Sequence, residues 1–254
     1  MTTLLDTKNL TKRFVKDDVA TVALRDFDLT VDQGSFVSIL GRSGCGKSTL
    51  LNMLAGLTSP TSGSVSYQGT QLSGPNVKIG YLTQSDTLMP WRDVQRNVEM
   101  PLEVLGVAKA ERRKAATELI QRVGLEGFER HYPRELSGGM RRRASLARML
   151  AGSPSTLLMD EPFGALDAQL RTELQEELLR LWHAGDQTVV FVTHDIEEAL
   201  LLGDRVVVLG HVGRVVLDRS IDLERPRSAD HLRVDPHFVA LYDELSAALK
   251  EGAR

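Results

Sequence analysis

Nine consecutive residues carry the clearest chemical signal in the chain. Gly41-Arg42-Ser43-Gly44-Cys45-Gly46-Lys47-Ser48-Thr49 fits the spacing G-x-x-x-x-G-K-[ST] of a phosphate-binding loop. A polyphosphate needs many donors and one cation at close range. Glycines let the backbone approach, successive N–H groups form an anion nest, and Lys47 is placed to reach the outer phosphates. The Ser48 hydroxyl is placed to ligate Mg²⁺. Composition alone produces this pattern in roughly one chain of this size in a hundred, so its context decides. Before it, Ser35-Phe-Val-Ser-Ile-Leu40 reads as a buried strand; after it, Thr49 to Ala55 reads as a helix closed by Gly56. Strand, loop and helix in that order predict a nucleotide phosphate site rather than an ordinary glycine turn. The same helix start is expected to make Cys45 more reactive than a buried thiol.

Two further apolar runs end in residues that could act on that phosphate. Thr156 to Met159 runs into Asp160-Glu161, and Thr188 to Val192 runs into Thr193-His194. Short continuous apolar runs fit central parallel strands buried on both faces. Ligands in open α/β sheets bind at the carboxyl ends of such strands, so one site can collect all three. An isolated Asp-Glu pair is most often a strand-end turn. With the loop upstream, Asp160 can hold Mg²⁺ and Glu161 can orient or deprotonate the attacking water. Leu136-Ser137-Gly138-Gly139-Met140 precedes a basic helix, Arg141 to Leu150. A hydroxyl, bare backbone and a helix dipole there make a second anion site.

The elements that must position these groups form an α/β pattern: a mainly parallel sheet, an antiparallel β subdomain and a helical insert. The 254 residues are 42% hydrophobic and 26% charged, as in a soluble globular protein. A net charge of −3 gives no whole-chain nucleic-acid footprint. No apolar run reaches the ~18 residues of a membrane span. Met1 to Leu10 alternates like a strand and lacks a secretory core. The single cysteine excludes an internal disulfide framework. A cytosolic chain, able to dock on a membrane partner, is expected. Residues 3–40 read as strands and turns, with a turn at Asp32-Gln-Gly34, and Gly63 to Tyr67 as another strand. Residues 85–152 read as the helical insert, with Ala115, Leu119, Ile120 and Val123 on the inner side of a helix closed by Gly124. Residues 1–84 and 153–254 form the core of a single domain. There Leu170, Leu174, Leu178 and Leu181 stripe one helix, and Asp195 and Glu198 cap the next, Ile196 to Leu202. Arg205 to Leu209 and Arg214 to Leu217 flank a hairpin. Pro236 to Leu249 reads as a last helix with Phe238, Leu241, Leu245 and Leu249 inward.

Taken in order, the phosphate loop, Leu136-Ser137-Gly138-Gly139, Met159-Asp160-Glu161-Pro162 and Thr193-His194-Asp195 resemble the ATPase subunit of an ATP-binding cassette transporter, over nearly the whole chain. The Leu-Ser-Gly-Gly run separates this superfamily from kinases, GTPases and recombinases that share the loop. The resemblance implies a two-lobed P-loop NTPase (RecA-like) fold and a head-to-tail dimer. In it, Ser137, Gly138 and Gly139 of one subunit close on ATP held by the loop of the other. Gln84 is implied as the hinge glutamine that contacts Mg²⁺ and water, and His194 as the switch that senses the γ-phosphate. Ala165-Leu166-Asp167 is implied as the loop crossing the dimer seam, and Phe14 as the ring stacked on adenine. The catalytic set is then Lys47, Gln84, Glu161 and His194; the metal set is Ser48, Gln84 and Asp160, with ATP and Mg²⁺ as cofactors. Met140 stands where the family's run ends in Gln. It keeps the backbone donors, so activity is expected to survive. Arg141-Arg142-Arg143 reads as a solvated helix face, not a nucleic-acid patch. The apolar loop Leu88-Met89-Pro90-Trp91-Arg92 needs a cover, and the family implies that it helps form a groove for a coupling helix of the membrane subunit. The Met-Pro-Trp stretch, the Met-ended signature and the short tail look most like importers of nitrate, sulfonate, taurine and related small anions. The implied partners are a second cassette, transmembrane permease subunits and, indirectly, an extracytoplasmic binding protein. The implied place is the cytoplasmic face of the membrane. An exporter or lipid-transport cassette and a soluble ATPase of DNA repair or translation are the rival readings; the lack of a heptad run weighs against the latter.

Overall fold

Alternating β-rich sequence folds first into a hairpin. Thr3–Lys16 (β1) and Val19–Asp32 (β2) pair antiparallel around Asp17-Asp18, both at positive φ (49° and 61°), the geometry that matches strand twist in a two-residue turn. Ser62–Tyr67 (β4) and Thr70–Gln71 (β5) extend this to a four-stranded antiparallel sheet of order β2-β1-β4-β5. The computed structural model describes residues 2–164, 166–183, 187–228, 232 and 234–252, without the side chains of Leu181 and His183. Expectations that fall on Met1, Ala165 and the Leu181 side chain lie outside these residues. The chain divides into two units: Met1–Asn76 with Leu158–Glu161 and Asp186–Arg254, and Val77–Leu157 with Pro162–Gly185. The second contains the insert expected at 85–152 and also takes in 77–84, 153–157 and 162–185, which were expected in the core.

The first unit holds the predicted parallel strands. Phe36–Gly41 (β3) lies between Thr188–Thr193 (β8) and Arg205–Leu209 (β9), parallel to both, with Leu40 opposite Thr193 and Gly41 opposite Leu209. Thr156–Asp160 (β7) follows β8, and Val215–Ser220 (β10) closes the other edge antiparallel to β9. Strands β3, β7 and β8 are buried along their whole length, which is why their sequences are continuous apolar runs. Ile196–Leu202 (α6) and Pro236–Glu251 (α7) cover the sheet through Ile196, Leu200, Phe238, Leu241 and Leu245 against Leu40, Val206 and Val208. Each such side chain contributes ~1.5–3 kcal/mol by burial. On α7 the fourth inward position is Ala248, with the expected Leu249 packed at the margin. Lys47–Leu54 (α1) ends as predicted at Gly56 (φ 72°), in a Schellman turn whose bonds run from Leu57 N–H to Asn52 O (2.9 Å) and Gly56 N–H to Met53 O (3.0 Å).

In the second unit Ile79–Leu82 (β6) lies beside the start of β7, where the Thr156 N–H donates to Lys78 O at 3.1 Å. Val94–Val104 (α2), Lys109–Arg122 (α3) and Gly138–Ala151 (α4) pack around Val98, Ile120, Leu125, Ala144 and Ala147. The inward face of α3 holds Leu119, Ile120 and Val123 as expected, and differs only at its first position, where Ala116 is buried and Ala115 half-buried. Gly124 (φ 67°) closes this helix with the same Schellman pattern as Gly56. Ala168–His183 (α5) buries Leu174 and Leu178 of its predicted stripe.

Candidate functional site

The loop between β3 and α1 is built for close backbone approach. Gly44 and Gly46 sit at φ 83° and 108°. A Cβ on Gly46 would stand 2.4 Å from the Ala23 carbonyl oxygen, a backbone atom that has no room to yield. Gly46 is also the N-cap of α1 and brings no side chain to satisfy the first N–H groups, so they face the loop as donors. Lys47, 5% exposed, turns its ammonium back over the loop: Nζ donates to Gly41 O at 2.7 Å and Arg42 O at 3.0 Å. The donors and cation fit a polyphosphate, as the motif predicts. Cys45 behaves differently from expectation. Its side chain is buried, and burial pushes the thiol above the ordinary cysteine range, outweighing the Lys47 cation and the N–H groups of Lys47 and Cys45, which favour thiolate. The helix-start N–H groups thus act in the expected direction, but burial outweighs them.

Neighbouring strand ends bring the acid and the histidine to this loop. Glu161 Oε1 lies 3.6 Å from Lys47 Nζ, and its Oε2 lies 3.2 Å from His194 Nδ1. Glu161 therefore bridges the two other residues. Its backbone is at φ 44°, strained for a non-glycine residue, and its N–H donates to Val192 O at 2.9 Å. Asp160 is 3% exposed at the end of β7. The cap behind His194 differs from the predicted reciprocal pair. Asp195 accepts from the Glu198 N–H (3.2 Å), but the Asp195 N–H donates to Thr193 Oγ1 (3.0 Å), and that hydroxyl donates to the Glu198 carboxylate. Thr193 thus relays the box and ties the residues on both sides of His194. Sequence reading did not single it out. Phe14, in the same unit, is 46% exposed on the β1–β2 hairpin with Lys12 Nζ 5.1 Å from its ring centre. A core role for it is thereby excluded.

The second unit holds the other predicted residues. Ser137 is the N-cap of α4, accepting from the Met140 N–H at 3.2 Å, and Gly138 and Gly139 open the helix. A Cβ on Gly139 would come within 2.7 Å of Leu170. Asp167 caps α5, accepting from the Leu170 N–H at 3.0 Å. The expected solvated arginine face is instead a set of clamps. Arg142, 7% exposed, donates from Nε to Pro162 O (2.6 Å), and from Nη1 to Thr83 O and, at 3.3 Å, to Gln84 O. Arg141 pairs with Asp86 at 2.7 Å, and Arg143 donates to Gly124 O at 2.9 Å. Nothing in the sequence marks which of three consecutive arginines turns inward, because their acceptors lie in distant loops.

Close to Gln84 in sequence, a groove of about 400 Å³ is lined by Tyr81, Met89, Met100, Pro101, Arg148 and Met149, among others. Burial disfavours the charged form of Arg148 there, against the attraction of Asp86. The buried Ser145 hydroxyl on this lining has no partner among the described residues. Of the expected loop, Met89 lines the groove, Leu88 is buried in the helical core, and Trp91 stands 70% exposed outside the lining. Asn97 fixes that shape: its Oδ1 accepts from the Met89 N–H (2.8 Å), and its Nδ2 donates to the Met89, Arg92 and Asp93 carbonyls. Among the described residues no helix is long and apolar enough to cross a membrane.

Comparison with known proteins agrees with this geometry. A family model described as ABC transporter matches residues 24–164. The uncharacterized ABC transporter ATP-binding protein MJ0412 of Methanocaldococcus jannaschii is 50% identical over 224 residues, 88% of this chain and 84% of that protein. The taurine import ATP-binding protein TauB of Escherichia coli (strain K12) is 42% identical over 224 residues, 86% of this chain and 88% of that protein. Among solved structures, the dimeric post-hydrolysis state of the ATP-binding cassette MJ0796 bound to ADP and Pi matches with a TM-score of 0.81 at 34% identity, covering 87% of this chain and all of that one.

Proposed function

The chain belongs to the ATP-binding cassette ATPase family of transporters, and we propose from this that it powers uptake of a small anion, of the sulfonate, taurine or nitrate class, by hydrolysing ATP on the cytoplasmic side of a membrane importer. The observation that carries the catalytic part is Glu161 held between Lys47 (3.6 Å) and His194 (3.2 Å) beside the phosphate loop. The loop donors, with Gly41 to Thr49, hold the phosphates, and Lys47 leaves its loop carbonyls for phosphate oxygens. Glu161 takes the proton of the attacking water or orients it, and His194 holds the carboxylate and senses the outer phosphate. Ser48 and Asp160 of the first unit would supply oxygen ligands suited to Mg²⁺, and the ion would neutralise charge on the phosphates; Gln84 carries a third such oxygen at the start of the second unit. Phe14, exposed on its hairpin, is available to stack on the base.

Ser137, Gly138, Gly139 and Asp167 act on nucleotide bound by a second cassette, so the working unit is a head-to-tail pair. The groove at Met89, Met100 and Met149 receives a helix of a permease subunit; flexible, apolar methionine walls suit a helix face. The likeness to TauB supports the small-anion cargo. The test is purification of the chain with its permease partners and binding protein. Turnover stimulated by taurine-, sulfonate- or nitrate-loaded binding protein is expected. ATPase activity that ignores all small anions but responds to lipid in the assembled complex would overturn the importer reading.

A further inference from the structure

Three arginines of one helix hold the loop 83–87. From α4, Arg142 takes the carbonyls of Thr83 and Gln84, Arg141 takes the Asp86 carboxylate at 2.7 Å, and Arg148 takes Thr87 O at 2.7 Å and its hydroxyl. The same helix begins at Ser137. Arg142 also holds the Pro162 carbonyl, on the residue that follows Glu161 in the chain. We propose that Arg142 is a positioning residue for hydrolysis: its buried guanidinium fixes the backbone of Gln84 relative to the Ser137 end of α4. The inference rests on the ATPase reading above and adds a residue to it.

The chemistry favours a positioning role over mere filling. A guanidinium is planar with donors in a fixed fork, so acceptors on its edges are held in direction as well as distance. Its acceptors here are backbone carbonyls of loop residues, which have no ladder of their own to hold them. Burying a guanidinium is unfavourable without such partners, and a well-packed apolar side chain in its place is often no less stable for a fold. Retaining the charge at 7% exposure, aimed at Gln84 and Pro162, makes sense where orientation matters. Gln84 itself acts through its side chain; Arg142 sets where that side chain starts. Nucleotide held by the phosphate loop does not depend on this alignment, whereas the arrangement of water and metal at the moment of attack does. Loss of Arg142 should therefore act on kcat rather than on ATP affinity.

The experiment compares Arg142→Lys, Arg142→Gln and Arg142→Met in the full chain. It measures kcat and KM for ATP, MgATP affinity in a Glu161→Gln background, thermal unfolding, and hydrogen exchange of peptides spanning 83–87 and 116–125. Turnover by the unaltered chain tests the ATPase reading separately; its absence would sink that reading and this one with it, whereas normal turnover left unchanged in the variants would sink this one alone. Expected for every variant that folds is a fall in kcat of about tenfold or more, with affinity changed less than about twofold, and faster exchange confined to 83–87. Lys keeps the charge but not the fork, so it should rescue folding better than kcat. A folded Lys or Gln variant with kcat within about twofold of the unaltered chain overturns the proposal. So does a parallel fall of kcat and affinity with exchange raised throughout 116–125, or failure of all three variants to fold, since each marks a purely structural residue.

Discussion

At the scale of single residues, Lys47, Glu161 and His194 are interdependent. Lys47 is 5% exposed, and the Glu161 carboxylate at 3.6 Å is its nearby anion. Replacing Glu161 by Gln removes that charge and the proton acceptor together, while keeping an amide oxygen toward His194 and leaving the loop donors and Gly46 geometry intact. Turnover should fall about 10²- to 10⁴-fold, the range of a general base, with MgATP binding retained. The variant should also gain more thermal stability from MgATP than the unaltered chain does, because phosphate supplies the anion that Lys47 has lost. Near-normal turnover would remove Glu161 from the mechanism. Cys45 gives an independent probe of the same loop. Burial raises its pKa, so the protonated thiol persists at pH values where an ordinary cysteine is already thiolate. Alkylation by iodoacetamide should therefore be slow at neutral pH and keep accelerating beyond pH about 8.5, where free cysteine is half ionised. MgATP should slow it further. A labelling rate equal to that of free cysteine at pH 7.5 would contradict the burial argument.

Elements explain why some positions were legible and others were not. Strands β3, β7 and β8 announced themselves because strands buried on both faces must be apolar throughout. Gly56 and Gly124 marked helix ends because the turn needs positive φ, which few other residues tolerate. The margin of a helix face was less visible: on α3 Ile120 and Val123 were placed correctly, whereas between the adjacent Ala115 and Ala116 only packing selected Ala116. Long-range polar contacts were invisible. Asn97 shapes the 89–93 loop and Arg142 reaches residues 58 and 59 positions away, and neither separation leaves a local pattern. In the same loop Asn97 turns Met89 into the groove and leaves Trp91 exposed, available to the proposed membrane partner. Ser137 sits on both sides of this divide, since it is a legible helix cap and a proposed trans contact. The two roles separate by substitution. Ser137→Ala removes the acceptor for the Met140 N–H and should lower stability by about 0.5–2 kcal/mol. Ser137→Asp keeps a good cap and adds a negative charge where a phosphate is to be met. Its thermal unfolding should match the unaltered chain, yet ATP-driven dimerisation and turnover should be lost. Turnover by Ser137→Asp at the unaltered rate would confine Ser137 to capping.

At the scale of the whole molecule, the proposed head-to-tail pair places phosphate binding and the second anion site on different copies. A twofold head-to-tail pair contains each contact twice, with the loop of either copy facing the Ser137 end of the other. Complementation follows from that symmetry. Lys47→Ala lacks the loop cation, and Ser137→Asp repels the phosphate, so neither alone should turn over. In a mixed pair, the intact loop of the Ser137→Asp copy faces the intact Ser137 of the Lys47→Ala copy, and one complete site forms. Random assortment of equal amounts makes half the pairs mixed, each with one working site of two, so about a quarter of the unaltered activity should return if the sites act independently. Strict coupling of the sites would suppress turnover, so occupancy is read as well. Repeated in the Glu161→Gln background, native mass spectrometry should find mixed pairs retaining a single nucleotide. If Ser137 served the loop of its own chain, both variants would be broken in every copy and mixing would restore neither activity nor retained nucleotide. Mixed pairs that form and stay empty would therefore overturn the trans arrangement, while leaving the phosphate loop and Glu161 assignments to be judged on their own variants.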